Sequence, residues 1–318
     1  MKTKVTGGEM ITGSLVPNIT FFDKHGNLDL DKTRWHMQWM FEKGVDGLFL
    51  TGSYGSGPMM TNDERVEIFR LAKQVAGGFK GKYIIPHVGC VDTKNTVELA
   101  RQAEKIGVDA IASVPPFYYK HSEDLILEFY KDIIEAVHIP VYAYNNPETS
   151  RFVFTLNTVR KLREMGLAGI KDSPVEVGFL SSVFYDVKQS QKKFDIILGT
   201  SKGWLPYYYM GCRAMIAGMN NYAPEVMTLL TKSTFAGDTA TSEKAYLVMM
   251  DISAKLHFTD STIASHMALY ARGFDAGFPR KPMQLPAFDS PKYAELRSVL
   301  QNGFDSLGLK METGDFQK

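Results

Sequence analysis

The sequence predicts a (β/α)8 or TIM barrel of eight parallel strands with a C-terminal helical appendage. Three observations carry the prediction. Short apolar runs alternate with longer amphipathic stretches through the first two-thirds of the chain, the pattern of a parallel sheet with helical crossovers. Gly44, Gly107 and Gly166 each fall between an apparent helix and the next apolar run, where glycine supplies the positive φ of a helix stop. At 318 residues the chain accommodates a closed barrel of about 250 with an extension. A doubly wound open sheet is the alternative.

The expected strands are 14–19, 47–50, 83–88, 110–114, 141–144, 168–170, 196–198 and 214–217. Between the second and third, Thr61-Asn62-Asp63-Glu64 supplies N-cap chemistry ahead of Val66, Ile68, Phe69, Leu71 and Ala72. Residues 93–105 form a second helical stretch, with Val97, Leu99, Ala100 and Ala103 on one side, and 125–137 a third. From Tyr222 the strand signals stop, and Pro224-Glu225 opens a helical region. The expected organisation is a barrel over 1–221 and helices over 222–318 packed on it. No solenoid repeat or low-complexity segment interrupts the chain.

Hydrophobic residues make up 44 % and charged residues 22 %, so the chain has ample core for a globular protein. A net charge of +1 gives no reason to expect a nucleic-acid partner. No uninterrupted apolar stretch approaches the ~18 residues of a membrane span. Met1-Lys2-Thr3-Lys4 leads into Thr6-Gly7-Gly8 without the apolar core of a signal peptide, so a cytoplasmic location is expected. Cys90 and Cys212 both lie among apolar residues and read as small core residues of a reduced compartment, not as a disulfide.

In a barrel of this type, chemistry sits at the C-terminal strand ends. Lys171 follows the apolar run Leu167-Ala168-Gly169-Ile170, so the sixth strand delivers an amine to that mouth. Burial favours the neutral amine, which can attack a ketone to form a Schiff base. The bland alternative is a solvated lysine. Tyr144 ends the fifth strand, and taken alone is a packing residue. With the Ser53 hydroxyl at the same mouth it becomes an acid–base partner for the amine. The loop Thr51-Gly52-Ser53-Tyr54-Gly55-Ser56-Gly57 lacks the ending of a P-loop, but its backbone N–H groups suit a carboxylate. His87, ending the third strand, is either the histidine best placed for chemistry or a packed, hydrogen-bonded one. No HExxH or similar spacing occurs, so neither a metal nor a cofactor is expected.

Tyr144-Asn145-Asn146-Pro147, followed by Gly169-Ile170-Lys171-Asp172-Ser173, resembles the paired YNxP and GIK[ED][ST] motifs of the dihydrodipicolinate synthase / N-acetylneuraminate lyase family. These are pyruvate-dependent class I aldolases, and the resemblance extends over about residues 10–300. It implies that Lys171 forms the Schiff base and that Tyr144 is the acid–base tyrosine. It also implies that Ser53 relays protons, that Tyr118 is a second relay tyrosine presented to a neighbouring subunit, and that Ile216 packs beside the imine. Gly52, Tyr54, Gly55, Ser173 and Gly199 complete the expected substrate contacts, and a homotetramer, a dimer of dimers, is implied.

The departures from the family's pattern concern the other half of the substrate. Tyr54 and Ser56 stand where threonine and glutamate are usual. Thr149 occupies the position of the synthases' arginine, the nearest arginine being Arg151, and Ser201-Lys202 that of the sialic acid lyases' acidic pair. His87-Val88-Gly89-Cys90-Val91 and Pro116-Phe117-Tyr118-Tyr119 look closer to the lyases. The expected activity is reversible cleavage of a 4-hydroxy-2-oxo acid, such as a 2-keto-3-deoxy sugar acid or N-acetylneuraminate, to pyruvate and an aldehyde. The alternatives are a dihydrodipicolinate synthase condensing pyruvate with aspartate semialdehyde, and a non-catalytic pyruvate or sugar-acid sensor.

Overall fold

The computed structural model describes residues 10–256 and 258–316. The expectation about the N-terminal Met1-Lys2-Thr3-Lys4 and Thr6-Gly7-Gly8 lies outside the described residues. In chain order come β1 (Gly13–Pro17), α1 (Leu30–Glu42), β2 (Gly47–Leu50), α2 (Asn62–Ala76), β3 (Tyr83–Pro86), α3 (Thr93–Ile106), β4 (Ile111–Ser113), α4 (Glu123–Ala136) and β5 (Val141–Asn145). The one-turn α5 (Pro147–Ser150), α6 (Leu156–Glu164), β6 (Gly169–Asp172), α7 (Val177–Ser190), β7 (Asp195–Leu198), α8 (Trp204–Met210) and β8 (Ala214–Ile216) follow. The chain continues with α9 (Pro224–Phe235), α10 (Thr239–Leu256), α11 (Ser261–Ala271) and α12 (Pro291–Ser306).

All strand pairs are parallel, in the order β3-β2-β1-β8-β7-β6-β5-β4. A parallel bridge between His87 and Ala112, carried by a 2.8 Å bond from Val88 N–H to the Ala112 carbonyl, joins the two ends. The sheet is a TIM barrel, not the open alternative. Strand alternation divides two cores. Leu15, Phe49, Ile85, Tyr142, Tyr144, Ile197 and Ile216 fill the interior, while Leu48, Leu50, Ile84, Ile170 and Leu198 face the helices. Gly169 leaves room inside for Tyr142, whose Cε1 lies 2.7 Å from where a Cβ would stand.

Local chemistry explains the helix boundaries. Thr61 and Glu64 form a reciprocal capping box at the start of α2, and Asp92 caps α3 through the Asn95 N–H. Gly44, Gly107 and Gly166 take φ of 95°, 82° and 103°, as their places in the repeat require. Only the second strand keeps both expected ends, and the others shift by one or two residues, two of them for a visible reason. The first strand stops at Pro17 because Ile19 N–H turns to the Asn221 side chain. The sixth runs through Lys171 to Asp172, whose outward carboxylate accepts bonds from the Asn145 side chain and from Val175 N–H.

The helix α9 succeeds β8 in the alternation and is tied to the end of α1 by a 2.9 Å bond from Thr228 Oγ1 to the Lys43 carbonyl. The expected division at 221/222 therefore falls between β8 and its own helix. Farther along, the fully buried Arg272 binds Glu225 of α9 at 2.9 Å and the Tyr222 and Glu312 carbonyls, fastening the helical region to the barrel. No helix among the described residues is long and apolar enough to cross a membrane. Both cysteines are free, and burial pushes the Cys212 thiol up to about 11.

Candidate active site

The register of β5 on β6 makes Tyr144 and Lys171 direct cross-strand partners, both turned into the barrel. Lys171 is 4 % exposed. Its Nζ lies 3.5 Å from the centroid of the Tyr144 ring and 4.3 Å from that of Phe49. Burial pushes the amine below its ordinary value, and the charge and hydrogen bond of the Tyr144 phenol offset part of the fall. The phenol itself is raised by burial. The cation beside it and hydrogen bonds from Lys171, Ser173 and Ser53 outweigh that rise and leave it lower than usual. These groups form one cluster of interacting polar side chains. Ser173 Oγ stands 3.4 Å and Asn146 Nδ2 3.3 Å from the Tyr144 hydroxyl.

The loop after β2 is compact because it is rich in glycine. A Cβ on Gly57 would collide with the Thr51 carbonyl, and one on Gly52 would lie 2.8 Å from the Phe49 ring. Thr51 and Ser56 adopt left-handed φ of 49° and 56°, strained for residues with a Cβ. Ser56 and Gly57 N–H close onto the Ser53 and Gly52 carbonyls. The N–H groups of Ser53 and Tyr54 carry no bond within the described residues. Gly55 is locked to the loop after β1 by Thr20 Oγ1.

Ile216 is buried in the barrel interior, in the same apolar cluster as Tyr144. Gly199, just past β7, is packed against Ser173: a Cβ there would overlap the Ser173 hydroxyl. Beyond Gly199 opens a cavity of about 100 Å³ lined by Tyr54, Thr200, Ser201, Gly218, Ser253, Ser261 and Ser265 among others. Tyr118 is not brought to Lys171 within the chain. It is 74 % exposed, with a left-handed φ of 82° and its ring edge-on to Tyr119. Thr149 is exposed and bonds back to the Asn146 carbonyl, and Arg151 is likewise exposed.

His87 takes the packed role. Its Nε2 accepts the Val114 N–H at 3.1 Å, and its ring meets Tyr144 nearly perpendicularly. Burial first, then the charges of Arg65 and Lys171, hold it well below the ordinary imidazole value, so it stays neutral. The residues that sequence reasoning missed are Phe49, which floors the amine, and the serines of α10 and α11. Ser261 and Ser265 are spaced to share one helical face, but nothing in the sequence shows that this face meets the barrel mouth. Among the described residues no group of three or more His, Cys, Asp or Glu side chains gathers as a metal site.

The chain is thus a (β/α)8 barrel that holds a buried amine beside a lowered phenol at the carboxyl end of its strands. The model of the dihydrodipicolinate synthetase family matches residues 10–302, and the chain belongs to that family. An uncharacterized DapA-like lyase of Halobacterium salinarum is 30 % identical over 86 % of this chain and 88 % of its own. YagE, a prophage protein of the dihydrodipicolinic acid synthase family from E. coli K12 solved with pyruvate, superposes with a TM-score of 0.86. It is 26 % identical, over 95 % of this chain and 100 % of its own. CdNal from Clostridium difficile, solved with mannosamine, gives 0.81 at 25 % identity, over 94 % and 100 %.

Proposed function

We propose that this protein is a class I aldolase that cleaves a 4-hydroxy-2-oxo acid to pyruvate and an aldehyde, and joins them in reverse. The observation that carries the reading is the buried Lys171 amine, lowered in pKa and in register with Tyr144. The pyruvate in the YagE complex and the lyases among the relatives support it.

In the cleavage direction Lys171 attacks the 2-ketone, and water leaves to give a protonated imine. Tyr144, as phenolate, takes the 4-hydroxyl proton. The C3–C4 bond breaks, its electron pair moves to the imine nitrogen to form an enamine, and the aldehyde departs. Protonation at C3 and hydrolysis then release pyruvate and restore the amine. Ser53 and Ser173 then pass the proton to and from Tyr144, a role supported by the hydrogen bonds they make to its phenol. The uncommitted Ser53 and Tyr54 N–H groups suit the substrate carboxylate, which orients the bonds that react. Tyr118, turned outward, is read as serving a neighbouring subunit's site in a homotetramer.

The test is borohydride reduction in the presence of pyruvate, followed by peptide mass mapping. A reduced pyruvyl group on Lys171, absent from Lys171→Ala, is the expected result. Wild-type protein that gains no such mass is not a Schiff-base aldolase. A panel of 2-keto-3-deoxy sugar acids, N-acetylneuraminate and aspartate semialdehyde, assayed for pyruvate release or consumption, then ranks the substrates.

A further inference from the structure

Tyr54 lies as a bar across the barrel mouth. It leaves the loop after β2, yet its ring rests on Gly218 just past β8, two positions away in the sheet order. A Cβ on Gly218 would stand 2.6 Å from Tyr54 Cζ and 2.7 Å from Cε1, and would overlap the hydroxyl. The far end is anchored to the helical region. The Tyr54 hydroxyl is hydrogen-bonded to Ser261, the first residue of α11, and Thr262 Oγ1 reaches the Tyr54 carbonyl at 3.4 Å. Burial leads in raising this phenol, and the Ser261 hydrogen bond offsets part of the rise.

The Tyr54 ring has the Tyr144 phenol near it and also lines a cavity. On one side the Tyr144 phenol is close enough for its charge to raise Tyr54 further. On the other is the cavity of about 100 Å³, which neither Tyr144 nor Lys171 lines. Thr200, Ser201, Ser253, Ser261 and Ser265 are among its lining residues, and its one charged lining residue, Lys202, is exposed. Such a compartment suits the hydroxyls of a neutral polyol, but Tyr54 stands between it and the amine.

We propose that Tyr54, pinned by Ser261 and Thr262, sets the length of the aldehyde half of the substrate. It restricts the chamber at Lys171 to short aldehydes of the size of glycolaldehyde or glyceraldehyde and divides it from the hydroxyl-lined compartment behind. Removing the ring makes the two spaces continuous, and a longer polyhydroxy tail then finds hydroxyl partners beyond Gly218. The inference rests on the aldolase reading.

The experiment measures kcat/KM for condensation of pyruvate with glycolaldehyde, glyceraldehyde, arabinose and N-acetylmannosamine, in wild type, Tyr54→Thr and Ser261→Ala. Each protein is first subjected to borohydride trapping with pyruvate alone. Wild type is expected to favour the two short aldehydes. Tyr54→Thr is expected to raise the long-to-short ratio on the order of tenfold or more. Ser261→Ala, which frees the ring without removing it, shifts the ratio the same way by less. An unchanged ratio in Tyr54→Thr overturns the proposal, as does a wild type that accepts long aldehydes equally well. Loss of pyruvate trapping in a folded Tyr54→Thr, which keeps the Tyr54 N–H for the carboxylate, also overturns it, because the ring itself would then serve the pyruvate end. Should Tyr54→Thr not fold, an unchanged ratio in Ser261→Ala decides against the idea alone. Wild type that traps no pyruvate refutes the aldolase reading itself, and does so before any aldehyde is added.

Discussion

Lys171 and Tyr144 titrate as a coupled pair, each setting the other's proton affinity. Burial lowers the lysine, and the phenol raises it. Replacing Tyr144 with phenylalanine removes the raising partner, so the amine's pKa falls further and its neutral fraction at a given pH grows. The acid limb of borohydride trapping by pyruvate therefore moves to lower pH in Tyr144→Phe. The proposed carbon–carbon cleavage, in which the phenolate takes the 4-hydroxyl proton, is expected to lose about 10²–10⁴-fold in kcat. A trapping limb that stays in place, or moves to higher pH, contradicts the coupling. The two residues are legible in the sequence because each ends an apolar run, which fixes its strand and its face. Phe49 under the amine, and Ser173 in contact with the phenol, depend on register between strands, which no single run encodes.

At the scale of elements, local signals succeed where the interaction is local. The capping box at Thr61 and the left-handed glycines at 44, 107 and 166 are written in a few consecutive residues, and the structure has them. The seam between barrel and helical region is non-local and does not show in the sequence. It depends on Arg272, fully buried at the end of α11 and bonded to Glu225 of α9, with the Trp39 ring 5.0 Å from its guanidinium carbon. Truncating this cation leaves a mostly buried carboxylate without its partner. Arg272→Ala is expected to destabilise the protein by about 3–5 kcal/mol in urea unfolding. Arg272→Met with Glu225→Leu should regain most of the loss, since both charges are then gone. A single variant within 1 kcal/mol of wild type, on the order of a surface substitution, refutes the role of this pair as the fastener.

For the whole molecule, Tyr118 and Tyr119 form an exposed aromatic pair at 74 % and 67 % accessibility, and Tyr118 holds a backbone conformation costly for a tyrosine. An assembly that covers them accounts for both features. Sedimentation of the wild type is expected to give a tetramer, and Tyr118→Ala with Tyr119→Ala should shift it toward smaller species with loss of activity. A wild-type monomer at micromolar concentration would remove the proposed role of Tyr118 in a neighbouring site.

Acid stability is also a property of the whole fold, set by histidines that tie its parts together. His36 on α1 bonds the Asn221 carbonyl beyond β8, and His266 on α11 bonds the Ala276 carbonyl, with Phe21 edge-on to both rings. Burial lowers His36 to about 3 and His266 to about 4, and His87 falls in the same direction. Below the ordinary imidazole value of about 6.5 the unfolded chain takes up protons that the native state refuses, so stability falls as the pH falls. Each of the three contributes up to about 1.4 kcal/mol per pH unit once the pH is below the ordinary imidazole value and the native ring is still neutral. Asp46, Asp172 and Asp195, raised by burial, oppose this as they protonate first in the native state, but only nearer the carboxylate range. Urea midpoints should therefore decline steeply from about pH 6.5 to 4.5. His266→Gln removes one of the three titrations and should flatten the slope by about a third. A midpoint constant across that window would mean that these imidazoles are charged, or reached by solvent, in the native state.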